Sequence, residues 1–258
     1  MILPKISIVI PSYDKVRYIK KTLDSIFDQK YENLEVIIQD GGSTDGSLEI
    51  INSYLKKYPR IIKLESKKDN GQLDAINKGL RKTNGDIITF INADDMYENE
   101  AFKTIANYYI GNPNVLWFVG KGIVINNKDI EIAKLVTIYK NLLFFKNKYN
   151  ILLITNYLMQ PSVFLTKKAY EKYGPFTGTN DFIMEYDLWL KIGKKEMPVT
   201  INKNLSKFRI EKSTKTKRFF NEILKKDEEI IKKHSNNKFI YILHKFNNLG
   251  RKIVGNVI

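Results

Sequence analysis

Strand-length apolar runs alternate with helix-period segments through the first hundred residues, and this alternation constrains the fold more than any other feature. Ile6–Ile10 is a continuous β-branched run and Leu34–Gln39 a second strand-length segment, as expected of strands buried on both faces of a parallel sheet. Ile61–Leu64 and Asp86–Asn92 read as two further strands. Between and after them, Lys15–Phe27, Ser47–Leu55, Leu73–Leu80 and Glu98–Tyr109 read as helices. Such a series closes into a parallel sheet through right-handed crossovers. The second half is less regular. Val115–Ile125 and Asp129–Val136 read as two strands that make the sheet mixed, and Lys167–Tyr173 and Tyr186–Ile192 as helices. From Lys217 onward the pattern changes to long amphipathic helices. The expected architecture is α/β: a mixed, mainly parallel sheet flanked by helices over residues 1–214, with a basic helical extension over 215–258.

Composition removes several classes of function. Hydrophobic residues make up 43% of the 258, enough for a real core and unlike a disordered chain. There is no cysteine, which excludes disulfides, thiolate metal sites and a cysteine nucleophile, and fits a cytoplasmic protein. Met1–Pro11 lacks the pattern of a secretory leader. The apolar clusters Leu142–Phe145 and Ile151–Ile154 are separated by Lys146, Asn147 and Lys148 and are too short to span a bilayer. The net charge of +15 is concentrated late: residues 1–100 carry 15 basic and 16 acidic side chains, residues 201–258 carry 15 and 5. That field favours an anionic partner, whether a phosphorylated substrate, an acidic bilayer or nucleic acid; a solvated Lys-rich face explains it equally.

Ligands of an open parallel sheet bind at the carboxyl ends of its strands. After the first strand comes Pro11-Ser12-Tyr13-Asp14, after the second Asp40-Gly41-Gly42-Ser43-Thr44-Asp45-Gly46-Ser47, and after the fourth Asn92-Ala93-Asp94-Asp95. Three acid-containing loops thus converge on one edge. Asp40 is read as an acceptor for a nucleobase ring N–H, and Ser43, Thr44 and Asp45 as turn and cap residues. Asp94 and Asp95 repel each other unless a cation neutralises them. Hard carboxylate oxygens suit Mg2+ or Mn2+, which offsets charge growing on a leaving diphosphate; capping the following helix is the other reading. Glu185 and Asp187 open a helical run, where either can take a proton from an attacking hydroxyl or stabilise the helix dipole. His234 and His244 have no ligand partner at useful spacing and are read as solvated or packing residues.

Taken in order, these segments resemble the motifs of family 2 glycosyltransferases of the GT-A fold. The resemblance rests on Ser7–Tyr13, Asp40–Gly46, Asp69-Asn70-Gly71-Gln72-Leu73-Asp74 through Gly79, Gly85–Asp95, Gln160–Phe164 and Glu185–Leu190, and covers about residues 5 to 214. It implies an inverting, metal-dependent, hexosyltransferase-like enzyme that moves a sugar from a nucleotide-sugar, expected to be a UDP-sugar, to an acceptor hydroxyl in cell-surface polysaccharide or glycolipid synthesis. It places the nucleotide-sugar against Pro11, Ser12, Tyr13, Asp40, Asn70, Gly71, Asp74 and Asp94. The DXD-like metal pair is Asp94-Asp95, with Asp95 as direct ligand, and the base is Glu185. Asp187, Arg209, Glu211 and Gln160 are secondary candidates. Gly41 stands where the family often has a second Asp, and Glu211 where it often has a His that helps hold metal or diphosphate.

The competing readings are a sugar-phosphate nucleotidyltransferase, which should carry a Gly- and Arg-rich loop that Ile10–Tyr13 does not offer, and a non-catalytic module binding membrane or nucleic acid. Nucleic acid is the least favoured partner. A glycan or lipid-linked acceptor is expected. The extension is read as holding the enzyme on an anionic membrane face through two apolar stripes, Phe219, Phe220, Ile223, Leu224, Ile230 and Ile231, then Phe239, Ile242, Leu243, Phe246, Leu249, Ile253 and Val257. The same stripes can instead pack on the catalytic domain.

Overall fold

The predicted alternation is present. The computed structural model describes residues 3–178, 183–211 and 215–255. It opens with β1 (Ile6–Ser12), α1 (Ile19–Phe27), β2 (Leu34–Asp40), α2 (Ser47–Lys57), β3 (Ile62–Ser66), α3 (Gln72–Leu80) and β4 (Ile87–Phe90). Then come β5 (Met96–Tyr97), α4 (Ala101–Gly111), β6 (Trp117–Ile125), β7 (Glu131–Ile132), α5 (Lys134–Lys146), α6 (Tyr149–Ile154), a 3-10 turn at Gln160–Ser162, β8 (Val163–Thr166), α7 (Lys167–Tyr173), α8 (Met184–Gly193) and β9 (Val199–Arg209). The described chain ends in α9 (Lys215–Arg218), α10 (Phe220–His234) and α11 (Lys238–Gly255).

The strand order is β3-β2-β1-β4-β8-β6-β9-β5, with β7 paired to β6. β1 to β4 are parallel, β8 runs antiparallel to β4 and β6, and β9 lies parallel to β6. The sheet is therefore mixed and mainly parallel, as expected. Alternate residues feed two cores. Val9 and Ile37 join Ile76 of α3 and Trp189 of α8 on one face. Ile8, Ile10 and Ile38 join Leu23 of α1 and Phe102 of α4 on the other. Burial on both faces is why β1 and β2 read as unbroken apolar runs. Close layering is enforced at Gly79, where any Cβ would collide with Val9.

One expectation is corrected. Only Glu131–Ile132 of the strand read at Asp129–Val136 pairs with β6; the chain then turns into α5. The β-branched Ile130, Ile132 and Val136 suggest a strand, but the helical spacing of Leu135, Ile138, Leu142 and Phe145 prevails. Ile231 of α10 and Ile240 of α11 enter the core that holds Trp189 and Leu190, the packing given above as the alternative for these stripes. The expected division at 214/215 falls beside residues 212–214, outside those described.

Candidate active site

The three loops predicted to converge do so. Ser12 of β1 lies in register with Asp40 of β2, and β4 flanks β1 on the other side. Short bonds clasp the first two loops: Asp14 N–H donates to Ser43 Oγ at 2.9 Å, Lys15 N–H to Ser47 Oγ at 2.8 Å and Val16 N–H to Asp45 at 2.8 Å. Ser43 and Asp45 are thus turn residues, as read. Thr44 N–H likewise donates to Asp14. Asp40 is 2% exposed and accepts from Gly42 N–H, Ser43 N–H, Ser43 Oγ and Ser66 Oγ. In this structure those bonds hold the turn. Beside it Tyr13 is 62% exposed, Pro11 is buried, and Ser12 Oγ is buried with no partner.

The third loop is gathered from four directions. Thr22 Oγ1 of α1 donates to the Asp95 carbonyl at 2.7 Å, Gln72 Nε2 at the start of α3 to Asn92 Oδ1 at 2.6 Å, and Gln160 Nε2 to the Phe90 carbonyl at 2.8 Å. Arg209, at the end of β9, donates its backbone N–H to Asp95 Oδ1 and its Nε to the Asp94 carbonyl, both at 2.8 Å. Arg209 is 2% exposed, lies over the Tyr18 ring and pairs with Asp129, leaving Nη2 without a partner. Gln160 and Arg209 are therefore at the loop, and both act on its backbone. Asn70 and Gly71 form the entrance to α3, where Gly71 takes φ of 102°, a value that favours glycine. Asp74 accepts from Asn70 N–H at 3.0 Å and pairs with Lys78 at 2.8 Å, which holds its carboxyl below the usual range.

The paired acids are not equivalent in their surroundings. Asp95 is 1% exposed, with one oxygen on Arg209 N–H and the other on Asn92. Burial, with Asp94 beside it, pushes its carboxyl well above the ordinary range. Asp94 is also buried, at 8% exposed, and its Oδ2 lies 2.5 Å from Lys15 Nζ, on a side chain 34% exposed. Neither acid caps α4, whose cap position is Glu100 and has no side-chain bond. Glu211 accepts from Tyr18 Oη at 2.7 Å and lies 3.8 Å from Arg17. Lys212 and Ser213 of that motif lie outside the described residues. Among the described residues no group of three or more acidic or histidine side chains can hold a metal by itself. What the site offers is a pair of adjacent carboxylates, one of them bonded to the half-buried Lys15, a donor set that fits a hard cation shared with substrate phosphates.

Glu185 and Asp187 also separate. Phe90 of β4, Phe176 and Trp189 of α8 stack edge to face at 5.3 and 5.9 Å and fix α8 against the end of β4. In the first turn of α8, burial pushes the Glu185 carboxyl up to about 7, opposed by its own backbone N–H and by Lys140 of α5 and reinforced by Asp227 of α10. Asp187 instead accepts from His234 at 2.8 Å, Lys233 at 2.9 Å and Thr177 at 3.0 Å, and pairs with Lys191 at 2.8 Å. Burial raises its carboxyl, but the hydrogen bonds from His234, Lys191 and Lys233 together hold it well below the usual range. It is a clamp between α8 and α10, not a free base. Asp187→Asn is expected to cost about 2 kcal/mol of stability. With a depressed folded-state pKa, that contribution is present above about pH 4 and lost below it. Urea unfolding of both proteins at neutral and acidic pH checks this: the gap must narrow in acid. His244 is fully buried, its Nδ1 2.9 Å from the Ile154 carbonyl, and serves packing. Lys15, Gln72 and Lys140 are contacts the motif reading did not assign. The one local signal was a cation in a loop facing paired acids.

Comparison with known proteins agrees with this arrangement. The profile of glycosyl transferase family 2 matches residues 7–174, most of the sheet and all three loops. An uncharacterized glycosyltransferase of Haemophilus influenzae is 37% identical over 116 residues, 45% of this chain and 46% of that protein. The dolichyl N-acetyl-alpha-D-glucosaminyl phosphate 3-beta-D-2,3-diacetamido-2,3-dideoxy-beta-D-glucuronosyltransferase of Methanococcus voltae is 34% identical over 139 residues, 51% of this chain and 43% of that one. The chain thus spans less than half the length of these relatives. The mannosyltransferase PcManGT of Pyrobaculum calidifontis, solved with GDP-Man and Mn2+, superposes with a TM-score of 0.71 over 95% of this chain and 69% of its own at 18% identity, and so shares the fold. With the profile covering more than half its residues and the strand-end loops assembled as that family requires, this chain belongs to glycosyl transferase family 2.

Proposed function

We propose that the protein transfers a glycosyl group from a nucleoside-diphosphate sugar to an acceptor hydroxyl with inversion at the anomeric carbon. The observation that carries this reading is the division of labour between acids: Asp94 paired with Lys15 in the loop after β4, and Glu185, whose carboxyl burial raises to about 7, on α8. A carboxyl poised near neutrality suits a general base. The acceptor oxygen attacks the anomeric carbon, Glu185 takes its proton, and the bond from that carbon to the diphosphate oxygen breaks. Asp94 is the residue that would hold Mg2+ or Mn2+, which when bound offsets charge on the departing diphosphate. Lys15, now paired with Asp94, yields that carboxylate and turns to the phosphates. Arg209 Nη2 is a further unpaired donor beside them. The base lies against Tyr13 and Pro11, and Asp40 reaches its ring N–H once Ser43 or Ser66 releases an oxygen.

The M. voltae relative carries a dolichyl phosphate substrate in its name. This supports a lipid-linked or glycan acceptor and a place in cell-surface polysaccharide or glycolipid synthesis. The expected result in a nucleotide-sugar panel with Mn2+ is release of nucleoside diphosphate, together with a raised melting temperature for the donor recognised, because a ligand of the folded state stabilises it. Release of pyrophosphate from a nucleoside triphosphate and a sugar phosphate would instead identify a nucleotidyltransferase.

A further inference from the structure

The apolar stripes of the two long C-terminal helices point in opposite senses. On α10, Ile223, Leu224 and Ile231 are buried, so that stripe packs on the rest of the chain and is closed to a partner. On α11 the polar side faces inward. His244 and Asn248 are buried, the first bonded to the Ile154 carbonyl and the second to the Leu224 carbonyl. Phe239, Ile242, Phe246, Leu249 and Ile253, at every third or fourth position, are between 48% and 68% exposed. α5 repeats the inversion: Thr137 and Phe144 face the protein, while Leu135, Ile138, Leu142 and Phe145 are 55% to 82% exposed. Asn247 Nδ2 donates to Tyr139 Oη at 2.9 Å and sets the two stripes side by side. Soluble monomers rarely leave so many large apolar side chains together on one surface.

Charge identifies what covers them. α5 and α11 together carry seven Lys and Arg and no Asp or Glu. Lys134, Lys146, Lys238, Lys245 and Lys252 are exposed, and Lys121 Nζ lies 4.5 Å from the Phe145 ring. A second copy pressed on this face would set like charge against like. A layer of acidic headgroups over acyl chains satisfies both the lysines and the apolar row. Among the described residues no helix is long and apolar enough to cross a membrane, so contact of this kind lies in the interfacial plane.

We propose that the outer faces of α5 and α11 form one composite surface that docks on an anionic lipid bilayer. This goes beyond the transfer reaction and does not depend on the roles given to Glu185 or Asp94. It differs from the two stripes read on the extension: α10 turns Ile223, Leu224 and Ile231 inward, and α5, outside the extension, supplies the other half of the face. α5 also carries Lys140 within electrostatic reach of Glu185, which places the lipid face and the proposed base on two sides of one helix. The test is co-sedimentation of the full chain with phosphatidylglycerol vesicles and with phosphatidylcholine vesicles. The expected result is binding to the first, weakened by salt, and little to the second. Leu142→Glu and Phe246→Glu should each lower partitioning by about tenfold or more, as loss of a buried large apolar side chain does. Ile110→Glu on α4, where the side chain is 37% exposed, should leave it unchanged. All three positions are exposed, so unchanged melting temperatures confirm intact folding. Absence of binding, equal binding to both vesicle types, or an effect of Phe246→Glu without one of Leu142→Glu overturns the composite face. So does a dimer in solution that both variants disrupt while vesicles bind none of the proteins.

Discussion

Glu185→Gln is expected to lower kcat by about three orders of magnitude while leaving donor affinity within about twofold. The substitution keeps shape and burial and removes only the ability to accept a proton, a task that arises in the transition state. The pH profile adds a second readout. Catalysis needs the ionised carboxylate, and burial raises that carboxyl to about 7. Activity of the wild type should therefore rise through a limb near pH 7 and fall away in acid, rather than titrate near the ordinary glutamate value. Lys140 favours the ionised form, so Lys140→Met should move the limb to higher pH. A profile flat from pH 5 to pH 8, or transfer retained in Glu185→Gln, sinks the assignment. Asp187→Asn serves as the contrast: its cost should appear mainly in stability, because four donors already occupy that carboxylate.

The parallel half of the fold was legible because β1, β2 and β4 are buried on both faces, which forces continuous apolar runs that few other structures need. β9 was not. It sets buried Ile201 and Leu205 among exposed Asn202 and Asn204 and half-buried Lys203, and its register against β6 shifts around Lys121. Yet β9 delivers Arg209, whose N–H decides that Asp95 is the inward acid. Adjacent residues at a strand end must diverge, so sequence predicts that Asp94 and Asp95 differ. Which one faces the cleft is set by a partner 114 residues away. Glu185 and Asp187 follow the same logic. Two positions apart on a helix, they point to different sides, and besides Lys191 of the same helix the groups that claim Asp187 include Lys233 and His234 of α10, whose docking no local pattern announces. Whether the stripes of α10 and α11 face inward or outward was not legible for a related reason: helical periodicity locates an apolar face but does not say whether protein lies against it.

Asp94→Asn is expected to lower turnover by about 10² or more with little change in melting temperature, whereas Asp95→Asn should chiefly destabilise the fold. Asp94, though 8% exposed, pairs through its side chain with the half-buried Lys15, so losing its charge frees that lysine. Asp95 is buried against Asn92 and Arg209, and an amide there would set a donor against the Arg209 N–H. If Asp94 holds the cation that meets the donor diphosphate, its variant should also need more Mn2+ to reach half-maximal rate, and EDTA should silence the wild type. Isothermal titration with Mn2+ and a nucleoside diphosphate gives a readout besides turnover: binding of each should strengthen the other in the wild type, and that coupling should vanish in Asp94→Asn. Turnover that survives EDTA would leave Lys15 and Arg209 as the counter-charges for the diphosphate. In that case Lys15→Met, which removes a cation but spares Asp94, becomes the more damaging substitution. The order of these two variants therefore separates a metal-assisted departure of the diphosphate from one assisted by the protein's own cations.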